Sequence, residues 1–267
     1  MKYVKPINEF WGDVLKRDLL GETREEDKFH SKEEIREYLR SEIQKQGENV
    51  VIKNLDVSLI ENMGGLLYNI FNGAKTIDLS GWKTSNVKDM SYMFCNFKSL
   101  ESLNLSGWDT SNVENMHEVF YCCENLKSLD LSGWDTSSVE TMAGMFHYCT
   151  KLKSLDLSSW DVSKVNTVEA MFYGCESLES LDVSGWDTSN VERMYKMFYQ
   201  CYNLESLDLS GWNTSNVKNM SYMFYDCSNL KSLDLSSWDT SSVKYMNDMF
   251  YKCPAPYKIV DKKIVRK

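Results

Sequence analysis

No apolar run in this chain approaches the length that crosses a bilayer, histidine occurs only 3 times, and its 30 cations are outnumbered by 39 anions. Each shortage excludes a class of protein. The first removes a membrane-spanning helix. The second leaves His30, His117 and His147 scattered in unrelated surroundings, and no H-E-x-x-H, phosphate loop, dinucleotide-binding glycine fingerprint or G-x-S-x-G stands in their place. The third, a formal net charge of −9, removes a sequence-independent nucleic-acid binder, which needs a cationic surface to displace counterions. The N-terminal residues carry no apolar stretch of signal-peptide length and no small-residue cleavage site, so the expectation from them is a cytoplasmic product. What is present is core material: 42% hydrophobic and 13% aromatic residues, too rich for global disorder.

That material is arranged with a strict period. Trp82, Trp108, Trp134, Trp160, Trp186, Trp212 and Trp238 recur every 26 residues without insertion, the signature of a solenoid. Function in such a chain is read from columns of equivalent residues, and a column offers one group many times over, whereas a catalytic site needs several different groups placed once. We therefore expect no enzyme and no cofactor.

One unit, Leu100 to Cys123, shows the local physics. Leu103 and Leu105 alternate with polar Asn104 and Ser106, which predicts a short strand with one face inward. Gly107 frees the backbone to turn. Ser111 and Glu114 then have the spacing of a helix-capping box, repeated as Ser137/Glu140 and Ser189/Glu192. Val113, Met116, Val119, Phe120 and Cys123 follow on one helical face. The expected fold class is an α/β solenoid, a leucine-rich-repeat-like stack of short parallel strands and short helices with an N-terminal helical cap.

The pattern L-D-L-S-G-W-D-T-S-N-V-x-x-M-x-x-M-F-x-x-C-x-x-L resembles the BspA-type repeats of bacterial surface proteins, over seven copies from residue 77 to 253. The resemblance implies a leucine-rich-repeat type of solenoid and, because members are often exported or lipid-anchored, adhesion or host contact at the cell surface. Tryptophan stands where the general leucine-rich pattern has Asn or Cys. The usual buried asparagine ladder is thus missing, and its hydrogen bonding is expected to fall to the T-S-N residues.

Four regions result. Residues 1–30 hold a candidate helix over about 7–20 (Ile7, Trp11, Val14, Leu15, Leu19) and a charged linker. Residues 31–76 hold a cap helix opened by Ser31 and closed by Gly47, then an irregular first repeat in which Met63 precedes Met90 by 27 residues. The seven regular units fill 77–253. Residues 254–267 follow Pro254 and are expected to add a strand or hairpin whose cations blunt the sheet edge.

Three columns carry chemistry. Cys123, Cys149, Cys175, Cys201, Cys227 and Cys253 read as buried free thiols, with Cys95 and Cys122, outside that column, as the more reactive pair. Asp78, Asp130, Asp156, Asp182, Asp208 and Asp234 form an outward strand column broken only by Asn104, with a second at Asp109, Asp135, Asp161, Asp187 and Asp239. They serve solubility and local bonds to turn amides, or else take Ca²⁺ or a basic partner. The glycine-rich nonapeptides of calcium β-rolls are absent, and no dedicated metal site is expected. The residue after each Met-Phe pair gives the third column: Cys95, Tyr121, His147, Tyr173, Tyr199, Tyr225 and Tyr251. It lies about 140° from the apolar face at 100° per residue, so it points outward. These tyrosines are either a structural stacking ladder or an aromatic binding strip. The functional expectation is a monomeric, non-enzymatic binding solenoid that presents the Tyr and Asp columns to a protein or glycan partner. A structural spacer and a Ca²⁺-dependent module are the alternatives.

Overall fold

The computed structural model describes residues 28–71, 73–260 and 263–266. The candidate helix over 7–20 lies outside them. The described chain is a repeat solenoid whose rungs are 26-residue coils. Helix α1 (Lys32–Gln46) comes first, followed by β1 (Asn49–Val51), β2 (Thr76–Asp78), β3 (Ser102–Asn104), β4 (Ser154–Asp156), β5 (Ser180–Asp182), β6 (Ser206–Leu207), β7 (Ser232–Leu233) and a terminal hairpin, β8 (Tyr257–Val260) with β9 (Lys263–Arg266). Strands β1 to β7 pair in parallel with equivalent residues opposite one another: Ile77 faces Leu103, and Leu155 faces Leu181. The hairpin is antiparallel.

The strand side is interrupted. It forms one sheet of three strands and two of two. The coil around Leu129 has no strand, and a cleft of about 320 Å³ opens beside it between Trp108 and Trp134. The opposite side is continuous, with parallel bridges running unbroken from Asn62 through Asp89, Asn115, Thr141, Thr167, Arg193 and Asn219 to Tyr245.

Between the two sides lies one core. Val113, Met116, Val119, Phe120 and Cys123 are all fully buried, as are their counterparts in most other coils. The Phe column stacks through the middle, Phe94 on Phe120 at 5.4 Å and so on to Phe224 on Phe250 at 5.6 Å.

These inward residues are the ones the helical spacing picked, but the backbone that carries them is not helical, and the expectation of a short helix in each coil is corrected. Each such segment is a run of turns. The amides of Met90, Tyr92, Phe94 and Asn96 donate to the carbonyls of Asn115, His117, Val119 and Tyr121 in the next coil, while Met93 and Cys95 donate back to Met90 and Tyr92. An α-helix would keep all of these bonds inside itself. It would also need 8–10 Å between axes, roughly twice the separation of adjacent strands. Ser111 correspondingly caps no helix: its amide donates to Asp109 Oδ1 at 3.1 Å, closing a local turn. Two residues of every turn run take positive φ, for example Lys196 at 56° and Gln200 at 59°.

Side chains complete the ladder as the T-S-N reading expects. Thr84, Thr110, Thr136, Thr188 and Thr214 are buried, and each Oγ1 donates to a carbonyl of the following coil at 2.9–3.0 Å. Asn86, Asn112, Asn190 and Asn216 donate backwards to carbonyls of the preceding coil. Tryptophan adds a bond of its own. The Trp108 indole Nε1 donates to Leu79 O at 2.8 Å, and Trp186 to Leu157 O at 3.0 Å. Only Trp134, beside the cleft, has an indole N–H without a partner among the described residues.

Helix α1 closes the N-terminal end. Ser31 Oγ accepts from the Glu34 amide at 3.2 Å, and Ile35, Tyr38 and Leu39 are buried against the stack. Lys32 Nζ donates to Gly64 O, and the Arg36 guanidinium donates to the carbonyls of Leu66 (2.6 Å) and Tyr68 (3.1 Å). From the coil of Asn115 onward, the equivalent carbonyls accept amides from the coil before, as Val119 O does from Phe94 and Tyr121 O from Asn96. Two side chains of α1 therefore stand in for a missing coil.

The tyrosine face as candidate functional site

The turn run decides where the third column points. The Phe of each Met-Phe pair goes inward, and the next residue emerges half-buried on the outer surface of the run at Tyr121, His147, Tyr173, Tyr199 and Tyr225, while Cys95 at the start of the column is buried and Tyr251 at its end is exposed. Its ring meets the ring of the next coil. Tyr173 and Tyr199 stack at 4.6 Å and 11°, Tyr199 and Tyr225 at 4.6 Å and 4°, Tyr225 and Tyr251 at 4.7 Å and 22°. Tyr121 breaks the pattern by standing edge-on to His147 at 5.0 Å.

Parallel rings this close cover one another's faces, so the column presents ring edges and phenol hydroxyls. Tyr251, 48% exposed, is the end ring of the stack, with Lys252 Nζ 5.7 Å from its centroid. Burial holds the Tyr173 and Tyr199 phenols above their ordinary range, so both are hydroxyl donors at neutral pH.

The column also gathers residues from neighbouring positions. His147 lies 4.4 Å from Tyr173 and 4.6 Å from Tyr148. Its Nε2 has no hydrogen-bond partner among the described residues, and burial, then the Lys196 charge, lowers its pKa to about 4. Tyr148 folds over Gly174, where a Cβ would meet its ring at 2.6 Å. Lys196 sits among four rings, its Nζ 5.1 Å from Tyr195, 5.2 Å from Tyr199, 5.5 Å from Tyr173 and 5.8 Å from Tyr222. Column reading passes over Tyr148, Tyr195, Lys196 and Tyr222, since the three positions they occupy vary from coil to coil. Large or charged residues at these variable positions are the signal by which they could be found.

The aspartates lie elsewhere on the coil. Asp130, Asp156, Asp182, Asp208 and Asp234 stand on the strand side, with the Leu, Met and Phe core between them and the tyrosines. Each spends Oδ1 on the amide of the serine two residues on, at 2.9–3.1 Å. In Asp130, Asp156 and Asp208 the serine's hydroxyl and amide hold the carboxyl below its usual range. The second column does the same through Ser111, Ser137, Ser163, Ser189 and Ser241. The tyrosine and aspartate columns are not brought together.

The thiols are inert as placed. Each of Cys123, Cys149, Cys175, Cys201 and Cys227 donates its S–H to a phenylalanine carbonyl of the preceding coil at 2.9–3.2 Å. Cys95 and Cys122, expected to be the more reactive pair, are less deeply buried than Cys123, Cys149, Cys175, Cys201 and Cys227, at 5% and 8% exposure against 0%. Both are buried, and burial first, then the Glu118 charge, pushes the Cys95 thiol up to about 11, far from the thiolate form.

Comparison with known proteins adds a family and little else. The family described as Mycoplasma protein of unknown function, DUF285, matches residues 38–128, 66–181, 96–204 and 177–262. No curated protein matches the chain. Among solved structures, a leucine-rich-repeat protein of Leptospira interrogans aligns at 16% identity with a TM-score of 0.28, covering 74% of this chain and 57% of its own. No described helix is long and apolar enough to cross a membrane.

Proposed function

For a chain that belongs to the DUF285 repeat family, we propose a non-enzymatic binding solenoid that presents its tyrosine face to a protein partner. The observation that carries this is the stack of Tyr173, Tyr199, Tyr225 and Tyr251, half-exposed rings in register along one side of the array. Tyrosine is favoured at interfaces because it offers a large rigid surface and a hydroxyl at low entropic cost. The stacking also favours a protein over a glycan: sugars pack on open ring faces, and here those faces are turned on one another. The resemblance to BspA-type repeats supports reading that role as surface contact or adhesion, within a leucine-rich-repeat type of solenoid.

The test is a pull-down from cell lysate and host surface extracts with the wild type beside a Tyr173→Ser, Tyr199→Ser, Tyr225→Ser variant shown to be folded by circular dichroism. Species retained by the wild type alone are the expected result. Identical lists, or nothing from either, would turn the reading towards a structural spacer.

A further inference from the structure

Lys196 differs from the lysines that pair with carboxylates along the surface, and among the described residues only Lys252, 5.7 Å from the Tyr251 centroid, shares its placement over tyrosine. Lys75, Lys88, Lys98, Lys127 and Lys218 each reach a glutamate of a neighbouring coil at 2.5–3.0 Å. Lys196 has no carboxylate at ion-pair distance among the described residues. It rests instead within 5.8 Å of the centroids of Tyr173, Tyr195, Tyr199 and Tyr222. Its own column offers Glu118, Gly144, Ala170 and Asp248 at other levels, so the cation belongs to this one level of the array.

Aromatic faces attract an ammonium through their quadrupoles, but they carry no net charge and leave its positive charge uncompensated. The rings end in phenol hydroxyls, which can donate as well as accept hydrogen bonds, that of Tyr173 being bonded to Tyr148. A held cation among neutral donors is a receptor for an anionic oxygen, and in a chain of net charge −9 it is a local inversion of the surrounding field. Nearby Glu169 does not fill that role, being engaged with Arg193 at 3.4 Å.

We propose that the Lys196 cluster, with Tyr173, Tyr195, Tyr199 and Tyr222, is the anion-recognising point of the tyrosine face and takes an Asp or Glu side chain from an acidic segment of a protein partner. This rests on the reading of that face as a binding surface and names the chemistry of what it binds. The carboxylate pairs with the ammonium while the phenol rims donate to its free lone pairs. Complementarity of this kind sets specificity and orientation for a partner that the aspartate-rich strand side would repel.

The probe is a fluorescein-labelled octaglutamate peptide, titrated by anisotropy at low salt into the full chain and into Lys196→Gln and Lys196→Glu variants, with octalysine and heparin as competitors. The proposal expects measurable binding to the wild type, at least tenfold weaker binding to Lys196→Gln, and none to Lys196→Glu, with the wild-type signal lost in 0.5 M salt as screening requires. Thermal melts of both variants check that the fold is kept. Equal affinity for Lys196→Gln, no binding to the wild type, or displacement by heparin at far lower concentration than by unlabelled octaglutamate would each overturn it, the last pointing to a sulfated glycan. The two readings fail separately. If the triple tyrosine variant loses its captured species while Lys196→Gln keeps them, the face stands and its acidic partner falls.

Discussion

His147 occupies a tyrosine position of the outer column with an imidazole that the fold keeps neutral. Its pKa falls from an ordinary 6.5 to about 4, so between those values the unfolded chain takes up a proton that the folded chain refuses. The resulting stability is complete above pH 6.5 and declines as the pH falls towards 4. His147→Tyr restores the column's usual residue and removes this slope. Melting temperatures of the two proteins, measured from pH 7.5 to 4, should diverge below 6.5 with the wild type falling faster; parallel curves would mean the imidazole titrates freely. At this scale the sequence was informative about donors and silent about acceptors. The T-S-N residues announce themselves as hydrogen-bonding groups in a repeat that lacks the asparagine ladder. That the Trp108 indole reaches Leu79 O, 29 residues back, depends on the path of the coil and could not be read from spacing. Lys196 was missed for the opposite reason: a column reading keeps what repeats and discards what occurs once.

Among the elements, the turn run is where sequence and structure part. Burial was legible there and backbone geometry was not, because a period near 3.6 is compatible with a helix and with successive turns alike. The positive-φ positions give a test with opposite signs. Ala170, at φ 52°, pays a steric cost that glycine avoids, so Ala170→Gly should stabilise the protein by about 0.5–1 kcal/mol, a rare direction for a glycine substitution. Gly174, at φ 67° and beneath the Tyr148 ring, should lose more than about 1 kcal/mol on replacement by alanine. Urea denaturation of the two variants decides it, and two losses of equal size would contradict the turn geometry. Helix α1 is the better-read element: its capping serine, closing glycine and buried stripe all follow from local rules. Its role as a surrogate coil, through Lys32 and Arg36, required the carbonyl row to be seen.

Over the whole molecule, the spacing of stacked rings differs by side: 4.6–4.7 Å along Tyr173 to Tyr251, 5.4–5.6 Å along the Phe column, and up to 6.5 Å between tryptophans. The tyrosine side is the tightly bonded one, and the strand side, with its interrupted sheets and its cleft beside Trp134, is where the stack is looser. The period foretold the stack but not this difference, which arises from bulky indoles on one side and backbone bonds between all coils on the other. Because each coil meets its neighbours through equivalent contacts, coils are interchangeable. Deleting residues 179–204, which brings Leu178 onto Glu205 in unchanged phase, should leave a folded protein with a single cooperative melt at a lower midpoint. A broad or absent transition in calorimetry would show that one coil is indispensable.

The unbroken row of bridges from Asn62 to Tyr245 gives the molecule a mechanical character as well. Its bonds run along the stacking axis, so a pull on the two ends loads each rung in turn and opens them like teeth of a zip, where a sheared sheet would resist all at once. Each coil that lets go pays out roughly 90 Å of slack at about 3.5 Å per residue. Anchored at one end, such an array would lengthen many times over under tension while the remaining coils stayed shut, a yielding tether with evenly spaced stops.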